Sequence, residues 1–128
     1  MAQDNGRHRE VKLLIVDDSN VMRRRIERSQ QFDGLVVVGA ASNGLEAIDL
    51  FHRTDPDLVT MDLTMPQMDG IDCITRLVEL KPQVRILVIS ALADKATAVE
   101  AMERGANGFL NKPFTDRQLN EALAELMA

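Results

Sequence analysis

Reactive side chains follow four short apolar runs in this 128-residue chain. After LLIV, LVTM, ILVI and GFLN stand, in turn, Asp17 and Asp18, Asp62, Ser90, and Lys112. Carboxylates brought together repel one another, and a hard divalent cation with oxygen ligands relieves that repulsion. A lysine and a hydroxyl beside such a cation can position and neutralise a phosphoryl group. These residue types therefore suit phosphoryl transfer, with an aspartate as the nucleophile.

The apolar runs alternate with amphipathic segments along the chain. Strands are predicted at Val11–Val16, Leu35–Ala41, Leu58–Met61, Val84–Ile89 and Gly108–Leu110. Runs that are apolar at nearly every position are typical of strands buried on both faces. Strict alternation with short connections predicts an α/β fold: a (βα)5 doubly wound, five-stranded parallel sheet.

Each predicted strand is followed by a segment with helical spacing. The expected apolar faces are Val21, Met22 and Ile26; Ala47, Ile48 and Phe51; Ile71, Ile74, Leu77 and Val78; Ala96, Val99 and Met102; and Leu119, Ala122, Leu123 and Leu126. Ser19 or Asn20 is expected to cap the first helix, and Thr115 with Gln118 forms a capping box before the last.

The strand ends must meet if the sheet is parallel. All carboxyl ends of its strands lie along one edge, where open α/β sheets bind their ligands. The residues expected to converge there are Asp17, Asp18, Asp62, Ser90 and Lys112. Mg²⁺ (or Mn²⁺) is the expected cation, because no Cys or His is near these strand ends to favour zinc.

The charge, the cysteine count and the apolar runs of the chain exclude several classes of protein. The net charge is -5 and the pI is about 5.0, which argues against a protein that binds nucleic-acid backbones. One Cys excludes an internal disulfide, and no apolar run approaches the ~20 residues that span a bilayer. Residues 1–10 are polar and lack a signal sequence, so we expect a flexible tail, a domain over 11–128 and a cytoplasmic location.

The segments IVDDS, TMDLTMPQMDG, VISA and GFLNKPF resemble, in order and spacing, the receiver domain of two-component response regulators, in particular stand-alone CheY-like receivers. The resemblance runs from about residue 11 to residue 127, and it implies a sheet of the flavodoxin/CheY-like kind. It implies that Asp62 accepts a phosphoryl group from a sensor histidine kinase or phosphotransfer domain. It also implies that Asp17, Asp18, Asp62 and the backbone carbonyl of Thr64 hold Mg²⁺.

The resemblance further implies a switch. Lys112 would pair with the phosphoryl oxygens, and Ser90 would rotate inward together with Phe109, which stands where CheY-like proteins usually have Tyr. The surface of the fourth helix, fifth strand and fifth helix would then bind a downstream target, such as a flagellar motor switch protein. Thr64 and Leu92 lie at positions that tune phosphate lifetime in the family. With an apolar Leu92 we expect slow loss of phosphate, and Leu92→Glu to speed it.

Other functions are open on the sequence alone. The chain could be an intermediate in a phosphorelay, a non-motile stand-alone receiver, or a pseudo-receiver that binds partners without phosphorylation. A phosphatase with an Asp nucleophile typically has two acids separated by one residue, whereas Asp17 and Asp18 are adjacent. A flavodoxin-like cofactor binder would favour aromatic residues, and the chain has no Trp or Tyr. We expect no turnover enzyme beyond its own phosphorylation and dephosphorylation.

Simpler interpretations apply to several of these residues. Asp17-Asp18 could form a turn and helix cap, and Phe109 could be an ordinary core residue. The basic run of Arg23, Arg24, Arg25 and Arg28 is typical of a solvated helix face. It could instead meet an acidic patch on a kinase phosphotransfer domain.

Overall fold

Five strands and five helices alternate in the computed structural model, which describes residues 10–65, 68–91 and 95–128. The strands are β1 (Val11–Val16), β2 (Leu35–Ala41), β3 (Leu58–Met61), β4 (Arg85–Ser90) and β5 (Gly108–Asn111). The helices are α1 (Asn20–Ser29), α2 (Gly44–Thr54), α3 (Gly70–Leu80), α4 (Lys95–Glu103) and α5 (Asp116–Met127).

The strands form one parallel sheet in the order β2-β1-β3-β4-β5. Its two faces carry separate apolar clusters. One cluster joins the sheet to α2, α3 and α4, and the other joins it to α1 and α5. β1, β3 and β4 are buried on both faces, because they lie between neighbouring strands and between the two helix layers. The predicted doubly wound fold is confirmed.

Strand boundaries differ slightly from the prediction at the site. β4 begins at Arg85 rather than Val84 and includes Ser90, and β5 continues to Asn111. Ser90 and Asn111 are paired across the two strands, so the ladder runs one residue further than the apolar residues do. The backbone hydrogen bonds do not require an apolar side chain, which is why hydropathy underestimated these ends.

The predicted apolar face of α4 is wrong. Val99 and Met102 are 47% and 43% exposed, whereas Ala101 is fully buried. Thr97 and Ala98 are half-buried, so the packed face has the spacing 97, 98, 101. The larger apolar side chains misled the prediction because Ala101, which carries little hydrophobic signal, is the residue of α4 that belongs to the buried cluster on this side of the sheet.

The helix caps follow the prediction. The Ser19 hydroxyl accepts a hydrogen bond from the Met22 N–H at 3.2 Å. Thr115 and Gln118 form the reciprocal pair of a capping box, at 3.1 and 2.9 Å. These bonds satisfy N–H groups that have no partner within the helix, and they define where α1 and α5 begin.

Cys73 lies fully buried on the inner side of α3. Its sulfur is 3.9 Å from the carbonyl oxygen of Gly44, where α2 begins. Burial raises the pKa of the Cys73 thiol to about 12. The thiol therefore behaves as a small apolar group that fills the contact between α2 and α3.

Within the described part of the chain, no helix is long and apolar enough to cross a membrane. The cytoplasmic location stays a prediction. The predicted tail lies outside the described residues, except for Glu10, which directly precedes β1.

Thr60 provides a test of how the core is packed. It is 1% exposed in the middle of β3, and its hydroxyl makes no hydrogen bond to any residue that the structure describes. Thr60→Val is expected to raise the free energy of unfolding by about 1 kcal/mol, because it removes a buried hydroxyl without a partner. Urea denaturation measures this as a higher midpoint with an unchanged slope.

Thr54→Val is the matched control. The Thr54 hydroxyl donates to the Leu50 carbonyl at 2.8 Å, so its removal should bring no gain. Equal changes in the two variants would contradict the assignment of an unpaired hydroxyl to Thr60.

Candidate functional site

Backbone hydrogen bonds fix the residues that follow the strands. The Asp17 N–H donates to the Ala41 carbonyl at 3.0 Å, and the Asp62 N–H donates to the Val16 carbonyl at 2.9 Å. The Lys112 N–H donates to the carbonyl of Ser90 at 2.9 Å. The ladder thus continues one residue beyond the strands, and it holds two acids and the lysine at the same edge of the sheet.

Three carboxylates converge at this edge. Asp17, Asp18 and Asp62 each place one carboxylate oxygen so that all three oxygens lie within 4.8 Å of one another. Asp17 and Asp62 are buried, and Asp18 is exposed at the mouth of the site. An all-oxygen set that is partly open to water fits a hard divalent cation such as Mg²⁺, which retains several water ligands.

Lys112 enters the site from the end of β5. Its Nζ lies 2.7 Å from Oδ2 of Asp17 and 3.6 Å from Oδ2 of Asp62. The lysine therefore joins the acids as the sequence predicts, but its hydrogen bond goes to Asp17. A single cation between two buried carboxylates offsets part of their repulsion.

Asp17 takes part both in the turn before α1 and in the candidate cation site, the two interpretations that the sequence left open. Its Oδ1 accepts a hydrogen bond from the Ser19 N–H at 2.8 Å, which forms the turn into α1. Its Oδ2 accepts from Lys112. The turn and the site are compatible because each uses a different oxygen of one carboxylate.

Thr64 contacts Asp62 with its N–H and hydroxyl groups, whereas the sequence predicted a ligand role only for its carbonyl. The Thr64 N–H is 3.3 Å and its hydroxyl 3.4 Å from Oδ1 of Asp62. A tight turn after the nucleophile candidate brings both donors back to it. The predicted role of the Thr64 carbonyl as a metal ligand stays a prediction.

The pKa of the Asp62 carboxyl is raised above its ordinary value of 3.8. Desolvation by burial is the largest cause, and the charges of Asp17 and Asp18 add to it. Lys112 and the hydrogen bond from the Thr64 N–H oppose the shift without cancelling it. Negative charge at Asp62 is thus disfavoured until another cation joins the site.

Ser90 and Phe109 lie on the neighbouring strands β4 and β5. Ser90 is fully buried at the last position of its strand. Phe109 is paired with Val88, is half-buried, and packs against the apolar cluster beneath α2, α3 and α4. The Lys112–Pro113 peptide bond is cis. Leu92 lies outside the described residues, and the roles of Ser90 and Phe109 as a switch stay predictions.

The basic run on α1 is not simply a solvated face. Arg24 and Arg28 are exposed, but Arg23 and Arg25 are half-buried and bond to backbone carbonyl groups. Sequence periodicity carried no signal for this, because the partners of Arg25 lie about ninety positions along the chain. Contact with an acidic patch of a kinase stays a prediction.

The sequence profile of the response regulator receiver domain matches residues 13–124. The chain belongs to the response regulator receiver family. The receiver profile thus covers all four strand ends that build the site, including Asp17, Asp62, Ser90 and Lys112.

Individual proteins are similar in sequence to most of this receiver. The chemotaxis protein CheY of Thermotoga maritima is 41% identical over 112 residues, which are 88% of this chain and 93% of that protein. A protein-glutamate methylesterase/protein-glutamine glutaminase of Pseudoalteromonas atlantica is 44% identical over 113 residues, which are 85% of this chain but 29% of the relative.

A solved structure shares the fold of this receiver. CheY from Borrelia burgdorferi, in a complex with CheX, BeF3 and Mg²⁺, is similar with a TM-score of 0.86 and 29% sequence identity. The similarity covers 92% of this chain and 90% of that chain. Signalling through a two-component system is therefore the context of this receiver.

The raised pKa of Asp62 has a consequence for stability. The folded protein binds this proton more tightly than the unfolded chain does, so stability falls as pH rises from 3.8 through the raised pKa, and stays low above it. Asp62→Asn is expected to melt at a higher temperature than the unchanged protein at neutral pH with EDTA. The difference should shrink as the pH falls towards 3.8. Thermal denaturation across this pH range measures it.

Asp33→Asn supplies the control, because Asp33 is exposed and lies just before the start of β2, at the opposite edge of the sheet from the three acids. A lower melting temperature for Asp62→Asn at neutral pH would contradict the unfavourable desolvation and repulsion assigned to this carboxylate.

Proposed function

We propose that this receiver is a phosphorylation-controlled switch that accepts a phosphoryl group on Asp62 from a histidine kinase or phosphotransfer domain. The observation that carries the proposal is the group of Asp17, Asp18 and Asp62 around one point, with Lys112 reaching both buried acids. Family membership supplies the reaction class, and this arrangement supplies the groups that the reaction needs.

The transfer makes one bond and breaks another. An oxygen of the Asp62 carboxylate attacks the phosphorus of a phosphohistidine as the phosphorus–nitrogen bond breaks. The imidazole nitrogen keeps the electron pair, and an acyl phosphate forms on Asp62. The position of Asp62 in the receiver motif supports it as the nucleophile, and its buried carboxylate lies 3.6 Å from the Lys112 ammonium.

Lys112 has a role before and after transfer. Before transfer, its ammonium group lies between Asp17 and Asp62. After transfer, the new phosphoryl oxygens extend from Asp62, and this ammonium, which lies 3.6 Å from the Asp62 carboxylate, is placed to pair with them. Positioning and charge neutralisation of this kind account for most of the catalysis in phosphoryl transfer.

The three acids are the residues that would hold Mg²⁺ or Mn²⁺, together with the Thr64 carbonyl. When bound, such a cation neutralises charge on the phosphoryl oxygens and on the acids. Asp18, which is exposed, leaves the site open to water and to an incoming phosphohistidine.

Phosphorylation would reach the surface through Ser90 and Phe109. Ser90 is buried beside the site at the end of β4, and Phe109 is half-buried on β5, between the sheet interior and the surface. An inward movement of the serine hydroxyl towards the phosphoryl group would open space into which the phenyl ring can turn. The surface of α4, β5 and α5 would change as a result.

The downstream target we propose is a chemotaxis protein, such as the flagellar motor switch. CheY of Thermotoga maritima supports this, because it is similar over 93% of its own length. The exposed Val99 and Met102 on α4 offer apolar area to such a target. The methylesterase relative is covered over only 29% of its length, so its activity is not carried over to this receiver.

A phosphatase with an Asp nucleophile is less well supported. That chemistry uses a second acid two residues after the nucleophile to protonate the leaving group. Thr64 occupies this position, and its donors already contact Asp62. A phosphorelay intermediate would use the same site and would differ only in the protein that next receives the phosphoryl group.

Intact-mass measurement after incubation with acetyl phosphate tests the proposal. One added phosphoryl group is expected in the presence of Mg²⁺ and none with EDTA, because the acids alone repel the donor. Asp62→Asn should remain unmodified under both conditions.

Asp72→Asn is the matched control, since Asp72 is an exposed acid in the first turn of α3 that is not one of the three converging acids. It should be modified like the unchanged protein. An adduct on Asp62→Asn would contradict the proposed acceptor, and a pseudo-receiver would be favoured if no adduct formed.

Beryllofluoride, which stands in for the phosphoryl group on the aspartate, tests the switch. Amide resonances of α4, β5 and α5 are expected to shift when it is added with Mg²⁺, and to stay in place in Asp62→Asn. Shifts confined to the residues that directly follow β1 and β3 would contradict a switch that reaches the surface. Two-dimensional NMR of the labelled protein gives the measurement.

A further inference from the structure

The four arginines of α1 have two different environments. Arg24 and Arg28 are exposed. Arg23 and Arg25 are half-buried, and each donates from its guanidinium group to a main-chain carbonyl outside the helical hydrogen-bond pattern. The two carbonyls belong to segments on opposite sides of the candidate site.

Arg23 holds the segment that carries Asp17. Its Nη1 donates to the Asp17 carbonyl oxygen at 2.6 Å, and its Nη2 donates to Oδ1 of Asn20 at 3.3 Å. The Asp17 main chain is thereby fixed on its carbonyl side by α1, and on its N–H side by the carbonyl of Ala41. The carboxylate between them has little freedom to move.

Arg25 holds the segment that carries Lys112. Its Nη2 donates to the carbonyl oxygen of Phe114, and its guanidinium carbon lies 4.3 Å from the centroid of the Phe114 ring. The same Nη2 is 3.5 Å from Oδ1 of Asp116 at the start of α5. Only a planar cation with several donors can stack on a ring, bond to a carbonyl and pair with an acid together.

The two sets of arginine contacts act on the two partners of one ion pair, Lys112 and Asp17. Arg25 fixes a residue two positions after Lys112, and Arg23 fixes Asp17 itself. Lys112 Nζ and Asp17 Oδ2 then lie 2.7 Å apart. The contacts form a closed path from α1 through Asp17 and Lys112 to Phe114, and back to α1.

We propose that Arg25 and Arg23 are positioning residues for phosphoryl transfer. Through the main chain of Phe114 and of Asp17, they set where the Lys112 ammonium stands relative to the acids. The inference rests on the proposed function, since it assigns these arginines to the same reaction. Neither arginine needs to touch the phosphodonor, because each acts through the main-chain carbonyl to which it is hydrogen-bonded.

The experiment measures phosphorylation by acetyl phosphate at saturating Mg²⁺, with the donor concentration varied. Arg25→Met is expected to lower the maximal rate about 10- to 100-fold, as misplacement of a catalytic group by roughly 1 Å does. The half-saturating donor concentration should stay the same, because Arg25 does not bind the donor. A small donor is used because it does not depend on contacts of a kinase with α1.

A second background separates positioning from general damage to the fold. Arg25→Met is also made in Lys112→Ala, where the group that it positions is missing. There we expect no further loss of rate. An equal loss in both backgrounds would overturn the inference, because it would show that Arg25 supports the fold and not the lysine.

Arg24→Met is the matched control on the same helix, and it should retain the rate of the unchanged protein. Arg25→Lys keeps the charge but loses the planar group, and it should be slowed nearly as much as Arg25→Met. If Arg25→Met fails to fold, as judged by circular dichroism, Arg25→Lys and Arg23→Met are compared in the two backgrounds instead. Rates equal to that of Arg24→Met would overturn the inference.

The unchanged protein distinguishes the two proposals. If it forms the Asp62 adduct and the arginine variants match Arg24→Met, the positioning inference alone fails. If it forms no adduct at all, the proposed function fails, and the positioning inference is overturned with it.

Discussion

Repulsion between carboxylates at one edge of a parallel sheet is the constraint on which the site depends. Asp17 and Asp62 are buried there with the same charge, and Asp18 adds a third acid from the surface. This cluster of three carboxylates destabilises the folded state, because desolvation and the repulsion of like charges both oppose it. The sheet holds the acids in place, and Lys112 offsets only part of the repulsion. The site is therefore poised to take up positive charge.

The topology determines which residues can share this edge. β1 and β3 are neighbours in the middle of the sheet, so the acids that follow them are neighbours too. β4 and β5 continue to one side and bring Ser90 and Lys112 in sequence order. A buried sheet with helices on both faces leaves this edge as the place where polar groups can be both fixed and reachable by water.

The sequence predicted the sheet because its strands are buried on both faces and are therefore apolar at nearly every position. The converging residues followed from that topology alone. α4 was misjudged because Ala101 packs where Val99 was expected. The preference of Lys112 for Asp17 and the attachment of Arg25 to Phe114 depend on distances between segments remote in the chain. No local pattern encodes those distances, since the first depends on how the ends of β1 and β5 lie at the sheet edge and the second on the packing of α1 against α5.

The buried position of Cys73 makes this protein insensitive to thiol chemistry. It is the one cysteine of the chain, it is fully buried, and its pKa of about 12 leaves almost no thiolate at neutral pH. Thiol-directed oxidants and alkylating reagents therefore find no reactive thiol on the folded molecule, and two copies cannot be joined by a disulfide while both stay folded. A cysteine introduced on the surface would be the single site at which a fluorescent or spin label attaches.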